Sequence, residues 1–116
     1  MKKTVLILMV MSGLLAGCAS DPAPFEQMKL TEEAIAQAKT TGVPSTMDDM
    51  QLAQTKWAQA KEMMQKKNYK QARVLAEEAD LDVRLAQSRW LLQKNQEDIR
   101  ALQGRVDRLH QQLGDE

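Results

Sequence analysis

One Cys, one His and a scatter of hydroxyls and carboxylates are all this chain of 116 residues offers for chemistry. A catalytic nucleophile needs a base within hydrogen-bond reach and a group that orients the base, and no such constellation stands at a readable spacing. Ser12 and Ser20 belong to the N-terminal segment, and His110 falls on a flanking position of a heptad, a surface place rather than that of a general base. One His and one Cys cannot build a structural zinc site, and a lone Cys cannot close an internal disulfide. Glu77, Glu78, Asp80 and Asp82 are crowded in sequence, but adjacent residues diverge around a helix, so they read as a solvated face rather than a metal site. No enzyme and no cofactor are expected. Sixteen Lys plus Arg balance sixteen Asp plus Glu, which removes the electrostatic basis for binding nucleic acid. Aromatic residues at 3%, five Gly and three Pro favour a single Ala-rich helical unit over a strand-rich one.

The place of the one Cys is more telling than its number. Lys2 and Lys3 precede an apolar stretch of eleven residues, Val5 to Leu15, the length of a signal h-region. A bilayer-spanning helix needs about 20 apolar residues, so this stretch is too short. It ends in Leu15, Ala16, Gly17 and Cys18, which resembles the bacterial lipobox. That resemblance implies cleavage before Cys18, a covalent lipid on its sulfur and acylation of the new amine, several chains together giving stable anchoring where one is marginal. Ala19 rather than Asp follows the Cys, which points to the periplasmic face of the outer membrane. The expected mature chain has lost Lys2 and Lys3 and carries fourteen basic against sixteen acidic residues.

After a tether over 18–24, the chain reads as helix from Phe25 or from Thr31. Thr31 is a candidate N-cap, with Leu30 and Ile35 placed as a hydrophobic staple. Phe25, Met28, Glu32, Ile35 and Lys39 trace only a loose helical stripe. Gly42 offers a left-handed C-terminal cap and Pro44 blocks continuation. Ser45 and Asp48 approximate a capping box for a second helix running to about Lys67. Along it Met50, Ala53, Trp57, Ala60 and Met64 recur at steps of three and four, and the rhythm resumes after Asn68 in Tyr69, Ala72, Ala76, Ala79, Val83, Ala86 and Trp90. A reversal at Asn68 sets large residues of one arm against small ones of the other, such as Met50 beside Ala86 and Trp57 beside Ala79. One uninterrupted helix is the other arrangement this polar break permits.

A second stripe lies about 200° around the last helix from the first. Leu81, Leu85, Leu92, Ile99, Leu102, Val106, Leu109 and Leu113 occupy heptad a and d positions, with Ser88 and Asn95 as polar members. The second helix is exhausted near Trp90, so the stretch 91–116 is expected to project as an extension. Its apolar seam calls for a partner, most simply another copy in a coiled coil, with Asn95 available to set register. Cover by the first helix or by a foldback is the alternative. Gly104, on an outer position, weakens the helix by about 1 kcal/mol relative to Ala.

The order of Ala53, Lys56-Trp57, Ala60, Asn68-Tyr69, Ala72, Leu75-Ala76, Glu77, Ala79 and Leu85-Ala86 resembles the small lipoproteins grouped as domain of unknown function 4398, over about residues 25–90. Those share a lipobox, an Ala-rich first helix, a Gly and Pro bend and a helical hairpin whose second arm opens on a Tyr. The resemblance implies the same fold and no established activity.

The expectation is therefore an all-α protein: a helical hairpin preceded by a short helix, with a long C-terminal helix extending as a coiled coil. Its divisions are a signal peptide at 1–17, a lipidated tether at 18–24, a hairpin domain at 25–90 and the extension at 91–116. Lys61, Lys66, Lys67, Lys70 and Arg73 gather at the hairpin tip, on the side where the first helix starts. Lys66, Lys67 and Lys70 are candidates for lipid headgroup contact; a solvated cluster complementing the helix dipole is the plainer reading. Leu92, Ile99, Leu102, Val106, Leu109 and Leu113 are the expected partner interface. The inventory fits a nonenzymatic outer-membrane lipoprotein acting as a periplasmic spacer or adaptor, its partner a second copy or a helical envelope protein. The alternative is a Braun-like structural lipoprotein; the C-terminal Lys used for covalent attachment to peptidoglycan is not found in Leu113-Gly114-Asp115-Glu116, leaving noncovalent contact.

Overall fold

The computed structural model describes residues 21–114. Three helices follow one another, α1 (Phe25–Thr40), α2 (Asp48–Gln65) and α3 (Tyr69–Gly114), with no strand among the described residues. α2 and α3 form an antiparallel hairpin, and α1 lies mainly along α3, running in the same direction as it. At 46 residues α3 is about 69 Å long and outruns both other helices.

The Ala-rich seam forms as its spacing predicts. Met50, Ala53, Ala60, Ala72, Ala76, Ala79, Val83 and Ala86 are all fully buried. Trp57, Met64, Tyr69 and Trp90 are half-buried at the margins. Ile35, Ala38 and Val43 join Met50, Ala53, Val83 and Ala86 in one cluster, against which Trp57 and Trp90 pack. Three ion pairs between α2 and α3 hold the register, Asp49 with Arg89 at 2.7 Å and Lys56 with Asp82 at 2.8 Å and with Glu78 at 3.3 Å.

Of the two starts the sequence allows for α1, Phe25 is the one taken, and the expected caps do not form. α1 starts at Phe25 and runs through Thr31, which is no cap: it is buried, and its hydroxyl oxygen lies 2.9 Å from the carbonyl of Ala76 and 3.0 Å from that of Gln27. Its one proton serves either carbonyl, and the Gln27 amide donates to it at 3.2 Å. A Thr satisfied in this way can sit in a core. Leu30 is half exposed, so there is no staple. The face that α1 buries is Thr31, Ile35 and Ala38, while Phe25 and Lys39 point to water. α2 starts at Asp48 behind an extended Met47, and no side chain caps it, so Ser45 and Asp48 form no capping box.

The two helix ends are built alike. After α1 the amide of Gly42 bonds the Lys39 carbonyl and that of Val43 bonds Ala38, with Gly42 at φ 85. After α2, which stops at Gln65 rather than Lys67, the amides of Lys67 and Asn68 bond the carbonyls of Met64 and Met63. Both are Schellman ends, and the second places Lys67 at φ 57, a conformation ordinarily left to Gly or Asn. Asn68 then turns the chain: its carbonyl accepts the amide of Ala72, and its side-chain oxygen accepts that of Gln71 at 3.4 Å. The left-handed Lys67 ends α2 and the Asn68 cap opens α3, so the polar break is a reversal and not a continuous helix.

Candidate functional site

Two surfaces are left over once the hairpin is packed, one at each end of α3. At the tip, Lys66, Lys67 and Lys70 are exposed. Lys66 pairs with Glu62 one turn earlier. Lys61 lies 5.6 Å from the centre of the Trp57 ring, a cation held over an aromatic face. Arg73 reaches back to the start of the described chain and donates to the carbonyl of Pro22 at 3.4 Å. Asp21 shares a shallow recess with Lys67, Asn68, Tyr69 and Lys70. Asp21 and Pro22 therefore stand beside the basic tip. Leu15, Ala16, Gly17 and Cys18 lie outside the described residues.

The opposite end presents the heptad stripe. Leu81, Leu85, Leu92, Ile99, Leu102, Val106, Leu109 and Leu113 are each between 42% and 73% exposed. Among the described residues nothing covers them: α1 packs on the Ala76, Asp80 and Arg84 side of α3 and α2 on the Glu78, Asp82 and Arg89 side. The helix is unbroken through Gly104. From Leu91 to Gly114 no side chain of α3 is buried.

The acidic run is more structural than its spacing suggested. Asp82 and Glu78 hold Lys56 at 2.8 and 3.3 Å, and Asp80 holds Arg84 at 2.8 Å. The side chains of Asp80 and Asp82 are only 16% exposed, so these two anchor cations across and along the helices, while Glu77 faces water. The close ion pair with Asp82 raises the Lys56 ammonium above its ordinary value; burial opposes this and Glu78 assists it. Asp80 likewise raises Arg84. Sequence reasoning missed the core bond of Thr31, the contact of Arg73 with Pro22 and the Lys56 clamp, because each depends on which segment lies beside which.

No group of three or more His, Cys, Asp or Glu among the described residues could hold a metal ion. Ser88 donates to the Arg84 carbonyl and His110 is exposed. No described helix is long and apolar enough to cross a membrane.

Fold and surfaces together define a class: an all-helical hairpin protein with one overlong arm and nothing that points to catalysis. The family described as domain of unknown function (DUF4398) matches residues 26–102, and the chain belongs to that family. The match runs past Trp90 into the extension, further than the resemblance read from the hairpin residues. The chain is similar to a DUF4398 family protein from Pseudomonas aeruginosa whose crystal structure is known, at 47% identity and a TM-score of 0.77, over 81% of this chain and 98% of that one. No curated protein matches it.

Proposed function

We propose that this protein is a nonenzymatic lipoprotein of the outer membrane, lipidated at Cys18, whose helices act in the periplasm as a spacer or adaptor for an envelope partner. The observation that carries this reading is the polarity of the molecule. The start of the described chain and the basic tip share one end, where Arg73 donates to the Pro22 carbonyl, and the uncovered apolar stripe runs to the other. Acyl chains at Cys18 supply the anchor. Lys66, Lys67 and Lys70 then face the headgroups, adding about 1 kcal/mol each where the lipid is anionic. α3 carries the seam away from the bilayer, with residues 91–114 reaching about 36 Å past the hairpin. Exposed apolar surface of this extent marks an interaction site.

Two measurements test the reading. Cys18→Ser should abolish lipid labelling and release the protein from membranes; a variant that stays labelled and membrane-bound contradicts the anchor. Cross-linking pull-down from intact envelopes should lose its neighbours when residues 91–116 are removed, and recovery of the same neighbours by the shortened form would dismiss the extension as the recognition element.

A further inference from the structure

We propose that the extension is one strand of a parallel, in-register, two-stranded coiled coil formed with a second copy of this chain, and that facing Asn95 side chains set its direction and register. The inference rests on reading the extension as the recognition element and adds what recognises it.

The layers choose the occupant. Leu85, Leu92, Ile99, Val106 and Leu113 fall on a, and Leu81, Ser88, Asn95, Leu102 and Leu109 on d. In two parallel copies in register, a meets a and d meets d, so Asn95 meets Asn95 and each amide finds a donor and an acceptor. An antiparallel pairing sets every d residue against an a residue. All five a positions are apolar, so each Asn95 would be buried against Leu, Ile or Val with its amide unsatisfied. A parallel pair shifted by one heptad leaves each Asn95 facing Ser88 or Leu102, so only one register satisfies both. Between Ile99 and Leu109 the stripe places β-branched residues on a and Leu on d, the combination that favours two strands.

Area and charge agree with a second copy. The eight exposed Leu, Ile and Val residues offer about 900 Å² per chain, and covering most of it on two chains buries roughly 1,500 Å², inside the span of about 1,200–2,000 Å² that stable interfaces occupy. Arg84 and Arg89 flank the Ser88 layer on g and e, where two parallel copies would oppose them. Each is held by a carboxylate of its own chain, Asp80 at 2.8 Å and Asp49 at 2.7 Å, which removes most of that repulsion. Further out, Gln96, Gln103 and His110 on e and Asp98, Arg105 and Gln112 on g form no consistent charge code, so the layers themselves carry the choice. A parallel pair also brings both chain starts to one end, where two anchors can enter one membrane.

The test uses the full chain with Cys18→Ser, so that an added thiol is the only one. Its mass by sedimentation should be that of two chains. In this background Leu109→Cys should oxidise to a same-site disulfide-linked dimer. A mixture of Leu81→Cys and Leu113→Cys chains should give only same-site products. Disulfides joining residue 81 of one chain to 113 of the other would show antiparallel strands and overturn the proposal, and a mass of three or four chains would overturn the two-strand assignment. A monomer would overturn self-pairing while leaving the lipid-anchored adaptor with a partner of another kind. Asn95→Leu should keep the association but relax its register, adding species of other mass; a variant that remains a single dimer of unchanged cross-linking pattern would remove Asn95 from its role.

Discussion

The two halves of α3 differ in what they bury. Over Tyr69 to Trp90 the helix hides Ala72, Ala76, Ala79 and Ala86 completely and turns Leu81 and Leu85 outward, 65% and 42% exposed. Past Trp90 it hides nothing and continues the outward Leu, Ile and Val stripe to Leu113. Along α3 the fully buried apolar residues are Ala and Val83 while most of its Leu residues and Ile99 turn outward, the reverse of what hydrophobicity alone would arrange. Small residues let α1 and α2 lie close against α3, and close approach is where dispersion is gained. The large ones gain nothing until another helix arrives. The hairpin is thus complete in one chain and the extension is not.

The largest expected break in that contrast comes from paired truncations. Met50→Ala empties a fully buried site and should cost about 3 kcal/mol of unfolding free energy. Leu102→Ala, 57% exposed, should leave the stability of a dilute single chain within about 0.5 kcal/mol while weakening association. Chemical denaturation at low concentration and sedimentation at high concentration separate the two effects.

Next come the glycines, one in each half of the contrast. Gly42 stands at φ 85 with open space where a Cβ would go, so Gly42→Ala should cost about 1 kcal/mol from backbone conformation alone. Gly104 is helical, and a Cβ there meets only Arg108 Nη1 at 3.6 Å, so Gly104→Ala should gain about 1 kcal/mol of helix stability in the extension. Thermal unfolding followed by circular dichroism reads both signs. Lys67→Gly, at φ 57, should likewise stabilise the hairpin turn by roughly 0.5–1 kcal/mol.

The smallest effect is electrostatic. Lys56 is raised in the folded state chiefly by its ion pair with Asp82, so its contribution is fully present below the ordinary Lys range and lost as pH climbs through the raised folded value. Unfolding midpoints of the native chain should fall above about pH 10.5 more steeply than those of Lys56→Gln, the difference staying below about 1 kcal/mol. Equal slopes would show that the clamp adds nothing to the hairpin.

How far the sequence discloses all this depends on the range of the interactions involved. The seam from Met50 to Trp90 and the stripe from Leu81 to Leu113 are periodic signals within single helices, and both stand where their spacing puts them. Gly42 and Pro44 are local stops and act as such. Thr31 reads as a cap because hydroxyls near helix starts ordinarily cap; only the carbonyl of Ala76, 45 positions away, makes it a core residue. Asp80 and Asp82 read as solvated because their cations come from a turn of helix and a neighbouring arm that a run of four acids does not reveal. The reversal at Asn68 hangs on Lys67 adopting a left-handed conformation that its residue type disfavours, so the break looked weaker than it is. At the candidate site the stripe was legible, and the contact between Pro22 and Arg73 was not.

The most direct test of a self-sufficient hairpin joined to a partner-requiring extension is amide hydrogen exchange of the full chain across a dilution series, with its mass followed alongside. Protection over residues 48–90 should not change with concentration, and protection over 91–114 should fall away as the chains separate. Equal protection of 91–114 at concentrations where the mass is that of one chain would contradict the account.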